Sequence, residues 1–162
     1  MKLGFFADTH DNLPMISKAV DLFNQKQVDL VIHLGDFVSP FFLKALNGLR
    51  SNLVAIFGNN DGDKLMLKTR FQEKGYDLFS PPQTLDLDKK KVLILHEPFE
   101  LKALIISGEY QIIAYAHTHV PEFRIEKETL VINPGECGGW LYGKATIAFV
   151  DLATMKGELI EL

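Results

Sequence analysis

The chain has 162 residues, 21 acidic and 17 basic, a formal charge of −4 and one cysteine. That length fits one domain over residues 1–162, large enough to bury most of its apolar surface. No run approaches the roughly 18 apolar residues of a membrane span, a lone Cys137 excludes an internal disulfide, and the acidic balance lacks a nucleic-acid binder's basic footprint.

Met1-Lys2-Leu3-Gly4-Phe5-Phe6 is too short for a signal-peptide core and lacks a small-residue cleavage site, so the cytoplasm is the expected compartment. The first predicted strand covers about 2–7 and runs into Asp8-Thr9-His10. A helix follows over 13–26, capped by Asn12, with Pro14 in its first turn and Ile16, Val20 and Phe23 on its core face. A second strand near 29–34 ends at Gly35-Asp36, and Ser39-Pro40 opens a short helix extending to about Leu49. The third strand, 53–57, ends at Gly58-Asn59-Asn60-Asp61 before a more polar helix over 63–74. This alternation predicts parallel strands with crossover helices.

Beyond Tyr76 the pattern changes. Pro81-Pro82 interrupts the chain, and short strands near 83–87 and 91–95 meet across Asp88-Lys89-Lys90. A helix over about 99–107 precedes a strand at 111–116, then strands near 121–126, 129–133, 144–150 and 157–161 follow with only turns between them. Two sheets, one mostly parallel and one richer in antiparallel pairs, packed face to face with helices outside, accommodate this order. No stretch between the motifs is long enough for a cap domain.

Five predicted strands end on Asp8/His10, Asp36, Asn59, His96 and His117/His119, and in α/β sheets ligands bind beyond the carboxyl ends of strands. The residues of each i, i+2 pair lie about 6.5–7 Å apart on one side of an extended backbone, suited to adjacent metal positions. Asp36 can bridge, one oxygen per ion, and Asn59 offers a neutral oxygen. Oxygen and imidazole donors without thiolate suit Mn, Fe, Zn, Co or Ni. Two divalent ions would cancel the formal charge and activate a bridging water for in-line attack on phosphorus.

Asp-x-His, Gly-Asp, Gly-Asn-x-Asp, a lone His and His-x-His, in this order, resemble the calcineurin-like metallophosphoesterase superfamily. The compact length, Gly58-Asn59-Asn60-Asp61 and Asn133-Pro134-Gly135-Glu136 resemble its small YfcE-like prokaryotic phosphodiesterases. The resemblance implies a four-layer α/β/β/α sandwich and two divalent transition-metal ions, manganese first. Asp8, His10, Asp36 and His119 would hold one ion; Asp36, Asn59, His96 and His117 would hold the other. It further implies hydrolysis of a small phosphodiester by a metal-activated hydroxide, without long nucleic acid or membrane as partner and with room for a homo-oligomer. The superfamily carries His where this chain has Asn60, and relatives often carry Gly-His where it has Glu97-Pro98. Acid assistance, typically about 10²–10⁴-fold, would then fall to Asp61 or Glu97, while Asn60 could hydrogen-bond a phosphate oxygen. Asn60 and Asp61 are thus the candidate catalytic side chains. The competing functions are a phosphomonoesterase or protein phosphatase, a nuclease, and a protein-binding scaffold with a structural metal site, like the eukaryotic retromer subunit that resembles this fold.

Other residues read as structural: His33 as a satisfied histidine inside a strand, Phe37, Phe41 and Phe42 as packing residues with a minority role as a wall or subunit contact, Cys137 as a packed thiol, and Lys89-Lys90-Lys91 as a solvated turn.

Overall fold

The computed structural model describes residues 1–162. Strand β1 (Lys2–Phe6) leads to helix α1 (Leu13–Lys26), β2 (Leu30–His33), α2 (Phe42–Ala45), β3 (Asn52–Ile56) and α3 (Lys64–Glu73). The remainder is β4 (Asp77–Phe79), β5 (Gln83–Leu87), β6 (Lys90–Ile94), α4 (Leu101–Ser107), β7 (Ile112–Ala114), β8 (Glu122–Glu126), β9 (Thr129–Asn133), β10 (Thr146–Asp151) and β11 (Lys156–Glu161). No helix is long and apolar enough to cross a membrane.

The strands form a six-stranded sheet, ordered β11-β10-β1-β2-β3-β4, and a five-stranded sheet, ordered β5-β6-β7-β9-β8. In the first sheet β1 to β4 run parallel, while β10 and β11 close one side antiparallel. In the second, β6, β7 and β9 are parallel and β5 and β8 are antiparallel edges. Strand alternation assigns each side chain to a layer. Leu3, Phe5, Leu30, Ile32 and Ile56 face the other sheet, where they meet Val92, Ile94, Ile112, Leu130 and Ile132. Phe6, Val31, Leu53 and Ala55 face outward onto Ile16, Val20 and Phe23 of α1, Phe42 of α2, and Leu67 and Phe71 of α3. On the far side, Leu93, Ile113, Tyr115 and Val131 pack on Ile105 of α4. Three apolar layers thus hold the four-layer α/β/β/α sandwich together.

Local chemistry sets the element ends. The Asn12 side chain accepts from Met15 N at the start of α1, and Asp63 accepts from Met66 N at the start of α3, each cap worth about 1 kcal/mol. Asp88 and Lys89 both have positive φ, forming the two-residue loop between Leu87 and Lys90 that a tight hairpin requires. Two expectations change. The helix after Pro40 is only the single turn of α2, because Asn47-Gly48 stops it and Gly48 is left-handed. Strand β4, unforeseen between Tyr76 and Pro81, is three residues long and buries only Leu78 fully, so its pattern is too short to stand out.

Gly4 is required where β1 crosses α1: a Cβ there would stand 2.6 Å from ring carbons of Phe23. Phe23 is itself fully buried, edge-on to Phe6 at 5.3 Å between centroids. Gly4→Ala is expected to destabilise the protein by about 1–3 kcal/mol through overpacking, read as a lower urea midpoint with an unchanged slope.

Candidate metal centre

The loops carrying the candidate ligands leave the carboxyl ends of parallel strands, β1, β2 and β3 from one sheet and β6 and β7 from the other. To turn off a strand within one or two residues, the backbone enters the left-handed region at Asp8 (φ 48°), His10 (40°), Asp36 (62°), His117 (68°) and His119 (59°). Asp, Asn and His tolerate that region better than most residues, and such strain collects at functional sites. Gly35 and Gly58 provide the close approach. A Cβ on Gly58 would lie 2.2 Å from Asp36 Oδ1, and one on Gly35 would lie 2.6 Å from Gly58 N.

All seven expected donors meet here. Asp36 Oδ2 lies 3.8 Å from His10 Nε2 and 3.5 Å from His96 Nε2. His119 Nε2 is 3.7 Å from Asp8 Oδ1. Asn59 Oδ1 lies 2.8 Å from His96 Nε2 and 2.9 Å from His117 Nδ1. Two three-residue groups, Asp8/His10/His119 and Asp8/Asp36/His96, bring ligand atoms within 4.8 Å of one another. Asp8 belongs to both, so it stands nearer the second position than the expected partition implies.

Hydrogen bonding fixes which ring nitrogens face the centre. His96 Nδ1–H donates to the Leu34 carbonyl at 2.8 Å, which leaves the Nε2 lone pair directed at Asn59 Oδ1 and Asp36 Oδ2. His119 Nδ1–H donates to Glu136 Oε2 at 3.0 Å, which leaves its Nε2 lone pair toward Asp8 Oδ1. Acceptors thus face acceptors, an arrangement that calls for a cation between them. Asp8 Oδ1 is buried and has no hydrogen-bond partner, which again fits a metal. Burial pushes the Asp8 carboxyl up to about 7, against the pull of His119 and His96. For Asp36, burial acts upward but is outweighed by the neighbouring His96 imidazole and by the hydrogen bonds from Asn60, and its pKa lies well below the carboxylate range. Burial lowers His10, partly offset by Asp36; at His96 the downward effect of burial is overcome by Asp36 and its pKa is raised.

The two candidate catalytic side chains hold the loops. Asn60 donates from its backbone N to Asp36 Oδ1 and from Nδ2 to Asp36 Oδ2, both at 2.8 Å. Asp61, buried, accepts from the amides of Gly58 (2.7 Å), Val38 (2.8 Å) and Asp36 (3.2 Å). Its burial raises its pKa against those hydrogen bonds, and with both oxygens directed at loop amides it positions the Asp36 and Asn59 turns. His33 is structural, as expected. Its Nδ1 accepts from Gly35 N at 3.0 Å, its Nε2 meets Thr9 Oγ1 at 3.2 Å, and Phe6, Phe37 and Phe42 box the ring. Burial keeps it well below its ordinary pKa. Phe37 and Phe42 are core; Phe41 is exposed. Cys137 is fully buried, its thiol pushed up by burial.

Glu136 is the residue that reading the sequence did not single out. Besides His119, it accepts from the amides of Trp140, Leu141 and Tyr142, turning those three side chains outward into solvent. Its pKa is lowered, burial being outweighed by the Tyr142, His119 and Leu141 contacts. The signal was its place in Asn133-Pro134-Gly135-Glu136, just past β9, the neighbour of β7.

The calcineurin-like phosphoesterase superfamily domain matches residues 1–155. Phosphodiesterase MJ0936 of Methanocaldococcus jannaschii is 41% identical over 165 aligned positions that take in 100% of this chain and 98% of that protein. Phosphodiesterase YfcE of Escherichia coli strain K12 is 26% identical, over 83% of this chain and 78% of YfcE. The solved structure of an archaeal phosphodiesterase superimposes with a TM-score of 0.94 at 39% identity, covering 100% of both chains.

Asp8→Asn removes a buried carboxylate that has one oxygen without a hydrogen bond. The metal-free variant should melt higher than the metal-free parent at pH 8, but should lose the rise in melting temperature that Mn gives the parent, a rise worth about 2.7 kcal/mol at 100 times Kd. Glu136→Gln should weaken metal binding roughly 10–100-fold by loosening His119, measured by competition with a chromophoric chelator.

Proposed function

The chain belongs to the calcineurin-like phosphoesterase superfamily, and on that premise we propose that this metal-dependent phosphoric ester hydrolase cleaves a small phosphodiester at a centre for two divalent ions. Asp8, His10, Asp36 and His119 would hold one ion and Asp36, Asn59, His96 and His117 the other, with manganese first and Ni, Fe, Co or Zn as alternatives. The observation that carries this reading is the convergence of two buried carboxylates with lone pairs of His96 and His119 already aimed at them. The phosphodiesterase names of the two curated relatives support the choice of ester.

When bound, such ions supply an activated water and neutralise the charge of the phosphoryl group. The chain's residues do the positioning. Glu136 and the Leu34 carbonyl set the imidazoles, and the Asp61 carboxylate ties the Asp36 turn to Gly58. Asn59, Asn60 and His117 are exposed at the mouth, so the centre is open to a small substrate. Asn60 can donate a hydrogen bond to a phosphoryl oxygen but delivers no proton. Esters of acidic alcohols, whose oxygen leaves without protonation, are therefore the favoured substrates. A reducing cytoplasm agrees with a single buried cysteine.

After chelation and restoration of Mn, the protein should hydrolyse bis-p-nitrophenyl phosphate faster than p-nitrophenyl phosphate, with no turnover before restoration. Asp36→Asn should abolish turnover and at least one bound metal, counted by plasma emission. Full activity in that variant would remove Asp36 from the bridging position.

A further inference from the structure

A cavity of about 980 Å³ opens beside the metal centre, within the size range of small-molecule sites. It lies where the β3–α3 loop, the Pro81-Pro82 connection and the β6–α4 loop come together. Asn59 and His96 belong to its lining as well as to the centre. A phosphorus atom held at the centre would therefore have one ester arm beside this cavity.

The lining tells what that arm is. Leu93 and Leu95 line it from β6 and the residue following it, with Leu104 and Tyr110 beside them, and Phe57, Leu65 and Phe99 complete its apolar part. Leu65 and Phe99 are 80% and 76% exposed, an unfavourable placement unless apolar matter covers them. Three aromatic side chains, Phe57, Phe99 and Tyr110, offer ring surface, and Lys64 Nζ stands 5.3 Å above the Phe57 ring. The charged residues balance: Lys64 and Lys68 come from α3, and Glu97 and Glu100 from the loop before α4. Nothing in that balance attracts a second phosphate.

We infer that this cavity binds the ester arm of the substrate, and that the substrate class is a phosphodiester with one large, apolar, ring-bearing and uncharged arm. The inference deepens the proposed function and rests on it. Leu65 and Phe99 are then specificity-determining residues that do not touch the reacting phosphoryl group. Polynucleotides and nucleoside polyphosphates are disfavoured by the same lining, since two lysines balanced by two glutamates give their further negative charge no net attraction.

The test compares the binding of diesters with poor leaving groups, cleaved slowly on the timescale of the titration, to the Mn-loaded protein by calorimetry, with bis-p-nitrophenyl phosphate turnover followed in parallel. Diphenyl phosphate should bind about tenfold or more tightly than dimethyl phosphate, since only its rings gain from burial. The double variant L65A/F99A should shrink that ratio at least about threefold while binding inorganic phosphate as the parent does, which also shows an intact fold and centre. Equal affinities in the parent, or a ratio unchanged in the variant, would overturn the inference. Turnover without a ring preference would sink the cavity assignment and leave the phosphodiesterase reading standing. A ring preference lost in L65A/F99A, but with no turnover under any metal, would do the reverse: the cavity would stand as a binding site and the hydrolytic reading would fall.

Discussion

Two carboxylates buried where the ends of two apolar sheets meet make up the constraint on which the rest of this molecule depends. Removing a carboxylate from water costs several kcal/mol unless charge or hydrogen bonds compensate it. Asp36 is compensated by hydrogen bonds from Asn60 and by His96, whereas Asp8 Oδ1 has no hydrogen bond at all. Every feature around them limits or redirects that cost. His96 and His119 turn lone pairs inward, their outer nitrogens secured by Leu34 and Glu136, and glycines let loops approach to contact distance. The chain accepts an unfavourable arrangement in its own folding because a cation turns it into a favourable one.

The supporting residues share one device, an anionic or neutral acceptor that gathers backbone amides. Asp61 collects three amides from two loops, Glu136 collects three from one loop, and His33 takes that of Gly35. Asp61 holds the amides of Asp36 and Val38, both at positive φ, so the strain of that turn is maintained by a contact outside the ligand set. Asn133 does the same for the last motif, donating to Thr118 Oγ1 and accepting from Gly135 N. Polar residues that never face the mouth of the centre are thus as necessary to its shape as those that do.

Much of this was legible in the chain itself, for a physical reason. Buried parallel strands read as short apolar runs, and KLGFFA, DLVIHL and QIIAYA each end abruptly on donors. Periodicity therefore marked both the layers and the residues at their tips. The apolar spacing of Ile16, Val20 and Phe23 likewise revealed the buried face of α1. Strand β4 was missed because three residues carry no period. The roles of Asp61, Glu136 and Asn60 were out of reach because they depend on which amides a loop turns inward. That direction is set by backbone dihedrals within those loops, such as the positive φ of Asp36, Val38 and Gly139, which no pattern of residue types encodes. Asp61 stood in a motif and invited a chemical role; only its contacts reveal an architectural one.

The donor set is drawn from both sheets, Asp8, His10, Asp36 and Asn59 from one and His96, His117 and His119 from the other. Bound ions would therefore act as a rivet through the seam between them. The apolar layer of Leu3, Phe5 and Ile32 against Ile94, Ile112 and Ile132 sets the spacing of that seam, so metal affinity becomes a gauge of sheet alignment. A sideways slip of half an ångström between the sheets, too small to unfold anything, would register as a weakened ion long before it registered as a lowered melting point.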